Sequence, residues 1–172
     1  MLGRKKFVPP VVAVSGGFTI NLDRDERALI VRLLGELHEL LTDESDEAAP
    51  VLARLFPPAF LDDPEKEAEY QRLMREELVA SRVAAITSVS AILEGSAKAV
   101  LDEGQTMAFM QAVNAVRMVL GTLLDISDDE TADEADSDDS PEHNLYSYLG
   151  WLLEWTVRAL SGHDYDEDLD GL

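Results

Sequence analysis

The sequence contains no cysteine. Without thiols the chain can form no disulfide, has no thiolate nucleophile and cannot sense redox state through a thiol. It also has no run approaching the roughly 18 apolar residues that a membrane-spanning helix needs. Basic residues precede an apolar stretch near the start, but Pro9 and Pro10 interrupt that stretch and leave too short a hydrophobic segment for a signal peptide. These absences predict a cytoplasmic protein that does not cross a membrane.

Basic residues are scarce as well. The chain has 35 acidic and 14 basic residues, and residues 125–172 hold 16 of the acids but a single base, Arg158. A negative field repels phosphate backbones and anionic lipid surfaces, so direct binding to nucleic acid or to a membrane is disfavoured. The charge instead favours basic protein partners or cations.

What is present is a chain of 172 residues with 46% hydrophobic content, enough for one domain with a single core. The pattern of apolar residues predicts a mainly α fold, a single-domain bundle of about five helices with a small N-terminal β-hairpin. We expect the helical domain to span residues 1–162, with the hairpin at about 7–22 and an acidic loop at about 126–140. Residues 163–172 would form an acidic C-terminal tail.

Four helix starts are predicted from residues that can accept the free N–H groups of a first helical turn. They are Asp23 with Glu26, Asp63 before Pro64, Asp102 with Gln105, and Ser140 before Pro141. The last of these helices is apolar around most of its circumference, so we expect it near the centre of the bundle or at a subunit interface.

Two arginines interrupt apolar helix faces. Arg117 lies in "NAVRMVLGTLLD" and Arg82 in "VASRVAAITSVSAIL". A guanidinium among apolar side chains must find a carboxylate, backbone carbonyls, a bound anion or water. One hypothesis is internal ion pairing that fixes helix docking, with Glu26, Glu77 and Glu154 as candidate partners. The other is an anion site formed by Arg82, Asn114 and Arg117.

No metal site or catalytic motif is predicted. His38, His143 and His163 are far apart and lack the spacing of zinc ligands. Carboxylates in the tail "DYDEDLDGL" match only the first half of a calcium-binding loop, and Glu130 occupies the glycine position of a second such stretch. Nucleophile elbows, phosphate-binding loops and dinucleotide fingerprints are absent. We therefore expect no cofactor and no metal, and no motif in the sequence supports an enzymatic activity.

Several stretches resemble a known family. The hairpin, the helix opening "LDRDERALIVRLL", the run "NAVRMVLGTLLD", an acidic gap and "YLGWLLEWTVRAL" follow one another as in an uncharacterised actinobacterial family whose genes often lie beside that of the Clp protease adaptor. The resemblance covers about residues 7–160. Its most specific residues are Asn114, Arg117, Leu120, Gly121, Tyr148, Leu149, Gly150 and Trp151. It implies a cytosolic helical protein and carries over no enzymatic activity.

The predicted function is that of a non-enzymatic regulatory or adaptor protein that acts through protein–protein contacts. Its interaction surface, which would also serve for homodimerisation, is predicted around Leu145, Tyr148 and Trp151. The alternative is a binder of small anions, or an enzyme of unknown reaction, that uses a pocket built from Arg82, Asn114 and Arg117.

Overall fold

The computed structural model describes residues 6–45, 47–126 and 140–162. Within these ranges the chain forms a two-stranded hairpin and five α-helices, which confirms the predicted mainly α bundle with an N-terminal hairpin. The predicted acidic loop, apart from its two ends, and the predicted tail lie outside the described residues. The strands are β1 (Val11–Val14) and β2 (Gly17–Ile20), and the helices are α1 (Arg24–Thr42), α2 (Ala48–Leu52), α3 (Pro64–Glu94), α4 (Glu103–Leu123) and α5 (Pro141–Leu160), with a 3-10 turn at Ala53–Leu55.

All four predicted helix starts are confirmed. Asp23 and Glu26 form a reciprocal capping box, since each side chain accepts the backbone N–H of the other at 2.9 Å. Asp102 and Gln105 do the same at the start of α4. The Asp63 carboxylate accepts the N–H of Lys66 at 3.1 Å, and the Ser140 hydroxyl accepts the N–H of His143 at 3.3 Å. Each cap satisfies N–H groups that the helix itself leaves without a partner.

A glycine allows the hairpin to approach the start of α4 closely. β1 and β2 pair antiparallel, and Phe18 in β2 also forms a bridge with Leu101, which directly precedes the α4 cap. A β-carbon built on Gly17 would lie only 2.1 Å from the Leu101 carbonyl oxygen. Only glycine therefore permits this approach of two backbones, and the bridge ties the hairpin to the start of α4.

The central helix is α4. It contacts α1, α2, the 3-10 turn, α3, α5 and β2, and its Phe109 is fully buried. The helix with both tryptophans, α5, packs on α4 and β1, so α4 contacts more elements than α5 does, and the alternative that α5 forms a subunit interface stays a prediction. Its broad apolar circumference is covered by α4 on one side and by β1 on another, and the rest, including Trp151 and Val157, stays exposed.

Candidate functional site

Arg117 packs into the contact between α4 and α5. Its Nε donates to the Tyr146 carbonyl at 3.4 Å, and its Cζ lies 4.0 Å from the centre of the Tyr146 ring. A β-carbon built on Gly150 would lie 3.1 Å from the same Nε. Gly150 therefore leaves the space that the guanidinium occupies, and the positive charge rests on an aromatic face.

The neighbouring Gly121 serves the same contact. A β-carbon built there would lie 3.0 Å from Nη1 of Arg54 and 3.1 Å from Cε2 of Tyr146. The Arg54 guanidinium in turn donates to the carbonyl of Ile126, just beyond the end of α4. Arg117 and Gly121 on α4 thus face Tyr146 and Gly150 on α5, which gives these residues a structural role in docking the two helices.

Arg82 lies in a different environment on α3. Its Nη2 donates to the Leu55 carbonyl at 3.1 Å, and its Cζ lies 5.8 Å from the centre of the Phe56 ring. Arg75 approaches the same ring at 5.2 Å, so two cations share one aromatic side chain. The Arg82 Nε is buried and makes no hydrogen bond, and burial lowers the pKa of the guanidinium below its usual range. Arg82 is thus only partly satisfied by the protein.

A cavity of about 380 Å³ lies beside Arg82, between α3 and α4 and above α1. Its buried floor is formed by apolar side chains, namely Leu37, Ile86, Ala112 and Ala115. Exposed polar side chains from α3 and α4 form its rim, namely Ser81, Gln111 and Asn114. An apolar floor with a few polar groups and one cation is the usual composition of a small-molecule site.

The structure brings together two of the three residues of the predicted anion site. Arg82 and Asn114 line the cavity, whereas Arg117 faces α5 and is not part of its lining. Within the described ranges neither Arg82 nor Arg117 pairs with a carboxylate. Their partners there are backbone carbonyls and aromatic rings, so the hypothesised pairing with Glu26, Glu77 or Glu154 is not found in these ranges.

Sequence reasoning missed the most buried arginine. Arg27 is only 9% exposed, and it donates to the carbonyls of Leu22, Leu93 and Ile20 at 3.1, 3.2 and 2.7 Å. These bonds join the start of α1 to the end of α3 and to the hairpin. The signal was available, because Arg27 precedes the buried residues Ile30, Leu34, Leu37 and Leu41 on the same helix face.

An aromatic strip runs along α5 at the surface. We give this name to Phe7, Tyr148, Trp151 and Trp155. The rings of Phe7 and Trp155 are 5.6 Å apart, those of Tyr148 and Trp151 are 5.9 Å apart, and Trp155 follows Trp151 by one helical turn. Phe7 is 47% exposed and Trp151 37%. Arg158 extends the strip, with its Cζ 5.1 Å from the Trp155 ring and its Nη2 2.5 Å from Glu154.

Of the predicted interaction surface, Tyr148 and Trp151 belong to the strip and Leu145 does not. Leu145 and Tyr148 are both half-buried and pack against the core, but only Tyr148 contacts another ring of the strip. The Tyr148 hydroxyl donates to Glu26 at 3.1 Å. The pKa of Tyr148 is raised by burial and by the negative charges of Glu26 and Asp23, which shows that one end of the strip is electronegative.

Metal ligands and membrane-spanning helices were the other features considered for the described ranges. There, no group of three or more metal-ligating side chains comes together. In the same part of the chain no helix is long and apolar enough to cross a membrane. His163 and the acidic residues of the tail lie outside the described residues.

Fold and site together define a small, mainly α-helical protein whose two notable features are an arginine-lined cavity and an exposed aromatic strip. The chain belongs to the family described as "Domain of unknown function (DUF2017)", which it matches over residues 8–160. No curated protein and no solved structure matches it.

Proposed function

We propose that the protein is a non-enzymatic cytosolic regulator or adaptor, and that it binds a basic segment of another protein through the aromatic strip. The observation that carries this proposal is the aromatic strip, in which Phe7 and Trp151 are exposed and contact the half-buried rings of Trp155 and Tyr148. Tyrosine, tryptophan and arginine are the residues that dominate binding energy at protein interfaces, and the strip and Arg158 combine all three.

Charge complementarity favours a basic partner. The chain carries a net charge of −21, and Asp23 and Glu26 lie at the Tyr148 end of the strip. Tryptophan and tyrosine faces attract lysine and arginine side chains, and nearby carboxylates strengthen that attraction. A segment with alternating basic and apolar side chains would use both properties of this surface.

The family resemblance adds an association. Genes of the actinobacterial family that the sequence resembles often lie beside that of the Clp protease adaptor, which supports a role in regulated proteolysis. Such a role calls for protein–protein contacts and for no chemistry on the part of this chain.

The aromatic strip also provides the means of testing the proposal, because the only two tryptophans of the chain, Trp151 and Trp155, lie in it. We would titrate the full chain with a 12-residue lysine–leucine peptide and follow tryptophan fluorescence. A glutamate–leucine peptide of the same length is the matched control. We expect saturable binding of the basic peptide alone, weakened at least tenfold by Trp151→Ala, because interface aromatics commonly contribute 2 kcal/mol or more.

Leu73→Ala provides the control variant, since Leu73 is 60% exposed on α3 and lies outside the strip. It should leave peptide binding unchanged. The same three chains would then be used to capture host proteins, and each captured protein would be purified and tested alone. Equal binding of both peptides, or equal binding by the Trp151→Ala and Leu73→Ala chains, would contradict the proposal. Concentration-dependent dimerisation that Trp151→Ala abolishes would show that a second copy of the chain occupies the strip. That result would contradict the proposal of a basic partner.

A further inference from the structure

We infer that the cavity beside Arg82 is a binding site for a small organic carboxylate with an apolar body. The carboxylate would pair with the Arg82 guanidinium, and the apolar body would rest on the floor between α3, α4 and α1. This site is separate from the aromatic strip and does not rest on the proposed function.

The first step of the argument is charge. In the part of the chain that the structure describes, no carboxylate pairs with Arg82, although the protein has 35 acidic residues. A half-buried cation is ordinarily paired, because leaving water without a counter-charge is costly. Arg75, on the same ring as Arg82, adds a second positive charge. Among the described residues, Arg82 is thus a half-buried cation without a counter-charge, in a protein that is otherwise strongly acidic.

The second step is hydrogen bonding. Nη2 of Arg82 is satisfied by Leu55, but its buried Nε has no acceptor. A guanidinium presents its N–H groups as a fork that matches the two oxygens of a carboxylate. A carboxylate in the cavity would supply the missing charge, and a small rotation of the guanidinium would bring the buried Nε within its reach as a donor.

The third step is the rest of the cavity. Leu37, Ile86, Ala112 and Ala115 form an apolar floor, which favours an organic acid over an inorganic anion. Asn114 at the rim donates only to the sulfur of Met118, at 3.5 Å. Sulfur is a weak acceptor, so the amide can exchange that contact for a ligand oxygen at little cost. The volume of about 380 Å³ lies within the usual range for small-molecule sites.

Methionine methyl groups offer a direct readout. Met118 lines the cavity, whereas Met107 lies on the same helix, is exposed and is not part of the lining. We would label the methionine methyl carbons of the full chain and record carbon–proton spectra during titration with acetate, hexanoate and benzoate. The neutral amides of the same acids and inorganic phosphate are the matched ligands.

We expect hexanoate and benzoate to shift the Met118 signal saturably and leave that of Met107 in place. The corresponding amides should bind at least tenfold more weakly, and acetate more weakly than the larger acids. Arg82→Met should lower the affinity for the acids at least tenfold, whereas Arg32→Met, at an exposed site paired with Glu36, should not change it.

Three results would overturn the inference. Amides that bind as tightly as the acids would show a merely apolar cavity, and phosphate binding without any response to the organic acids would show a simple anion site. No Met118 shift at 20 mM of any acid, a concentration in the range of the weakest specific binding, would show no site at all. The comparison of acids with amides uses the unmodified chain, so it stands even where Arg82→Met fails to fold.

Discussion

The two arginines that interrupt apolar helix faces, Arg117 and Arg82, differ in what surrounds them. Arg117 is enclosed by Tyr146 and Gly150 on the facing helix, whereas Arg82 binds one carbonyl and borders a cavity. Both are half-buried and both contact an aromatic ring. A cation among apolar residues therefore contributes to helix packing where a facing helix covers it. Where the neighbouring helices leave a cavity, as beside Arg82, the cation borders open space.

Arg27 is the limiting case of enclosure, so its loss should have the largest effect. Arg27→Met would remove three hydrogen bonds from a charged donor and leave carbonyls of the α1–α3–hairpin junction without that donor. We expect a loss of about 3–5 kcal/mol in the free energy of unfolding. Urea unfolding followed by circular dichroism measures it. Arg32→Met on the exposed side of α1 is the control, and a similar small change in both variants would contradict the enclosed role of Arg27.

Closing the space around Arg117 should have the next largest effect. Gly150→Leu would place a side chain where the Arg117 guanidinium lies, and overpacking of this kind costs about 1–3 kcal/mol. Gly35→Leu is the matched control, because a β-carbon on Gly35 meets no atom within 4 Å. A double-mutant cycle with Arg117→Ala sharpens the test. If the cost of Gly150→Leu is the same with and without Arg117, the guanidinium does not occupy that space.

The smallest effect is expected at the cavity. Arg82→Met loses one bond to Leu55 but also removes a buried N–H without an acceptor, so we expect a change below about 1 kcal/mol. Arg117→Met should cost more, about 1–2 kcal/mol, through its lost hydrogen bond and its lost cation–π contact. Parallel urea titrations compare the two. If Arg82→Met lowered the free energy of unfolding more than Arg117→Met, Arg82 would be the more structural of the two arginines. That result would contradict the comparison that supports the ligand site.

Local features were predictable from the sequence, and long-range ones were not. The caps at Asp23, Asp63, Asp102 and Ser140 depend on residues three positions away, and all four form as predicted. The hairpin and the number of helices were also predictable, because periodicity depends only on residues close together in the sequence. The partners of Arg82 and Arg117 depend on which helix lies opposite, and no spacing within one helix determines that.

The candidate surface shows the same limit. Helical periodicity placed Tyr148 and Trp151 close together, and both lie on the aromatic strip. Leu145 is half-buried like Tyr148 but contacts no ring of the strip, and Phe7 lies in the strip although it is more than 140 residues earlier in the sequence. Arg27 was not predicted to be buried although it shares a helix face with buried residues, because it precedes the apolar residues of that face and does not interrupt them as Arg82 and Arg117 do.

The carboxylate of Glu26 carries two bonds at once. One oxygen accepts the N–H of Asp23 and the other accepts the hydroxyl of Tyr148, 122 positions later in the chain. During synthesis, the capping box can close as soon as the start of α1 has left the ribosome, because both of its residues are local. The bond that ties this turn to α5 can form only after Tyr148 has been added, so the start of α1 folds locally first and is anchored to the bundle later.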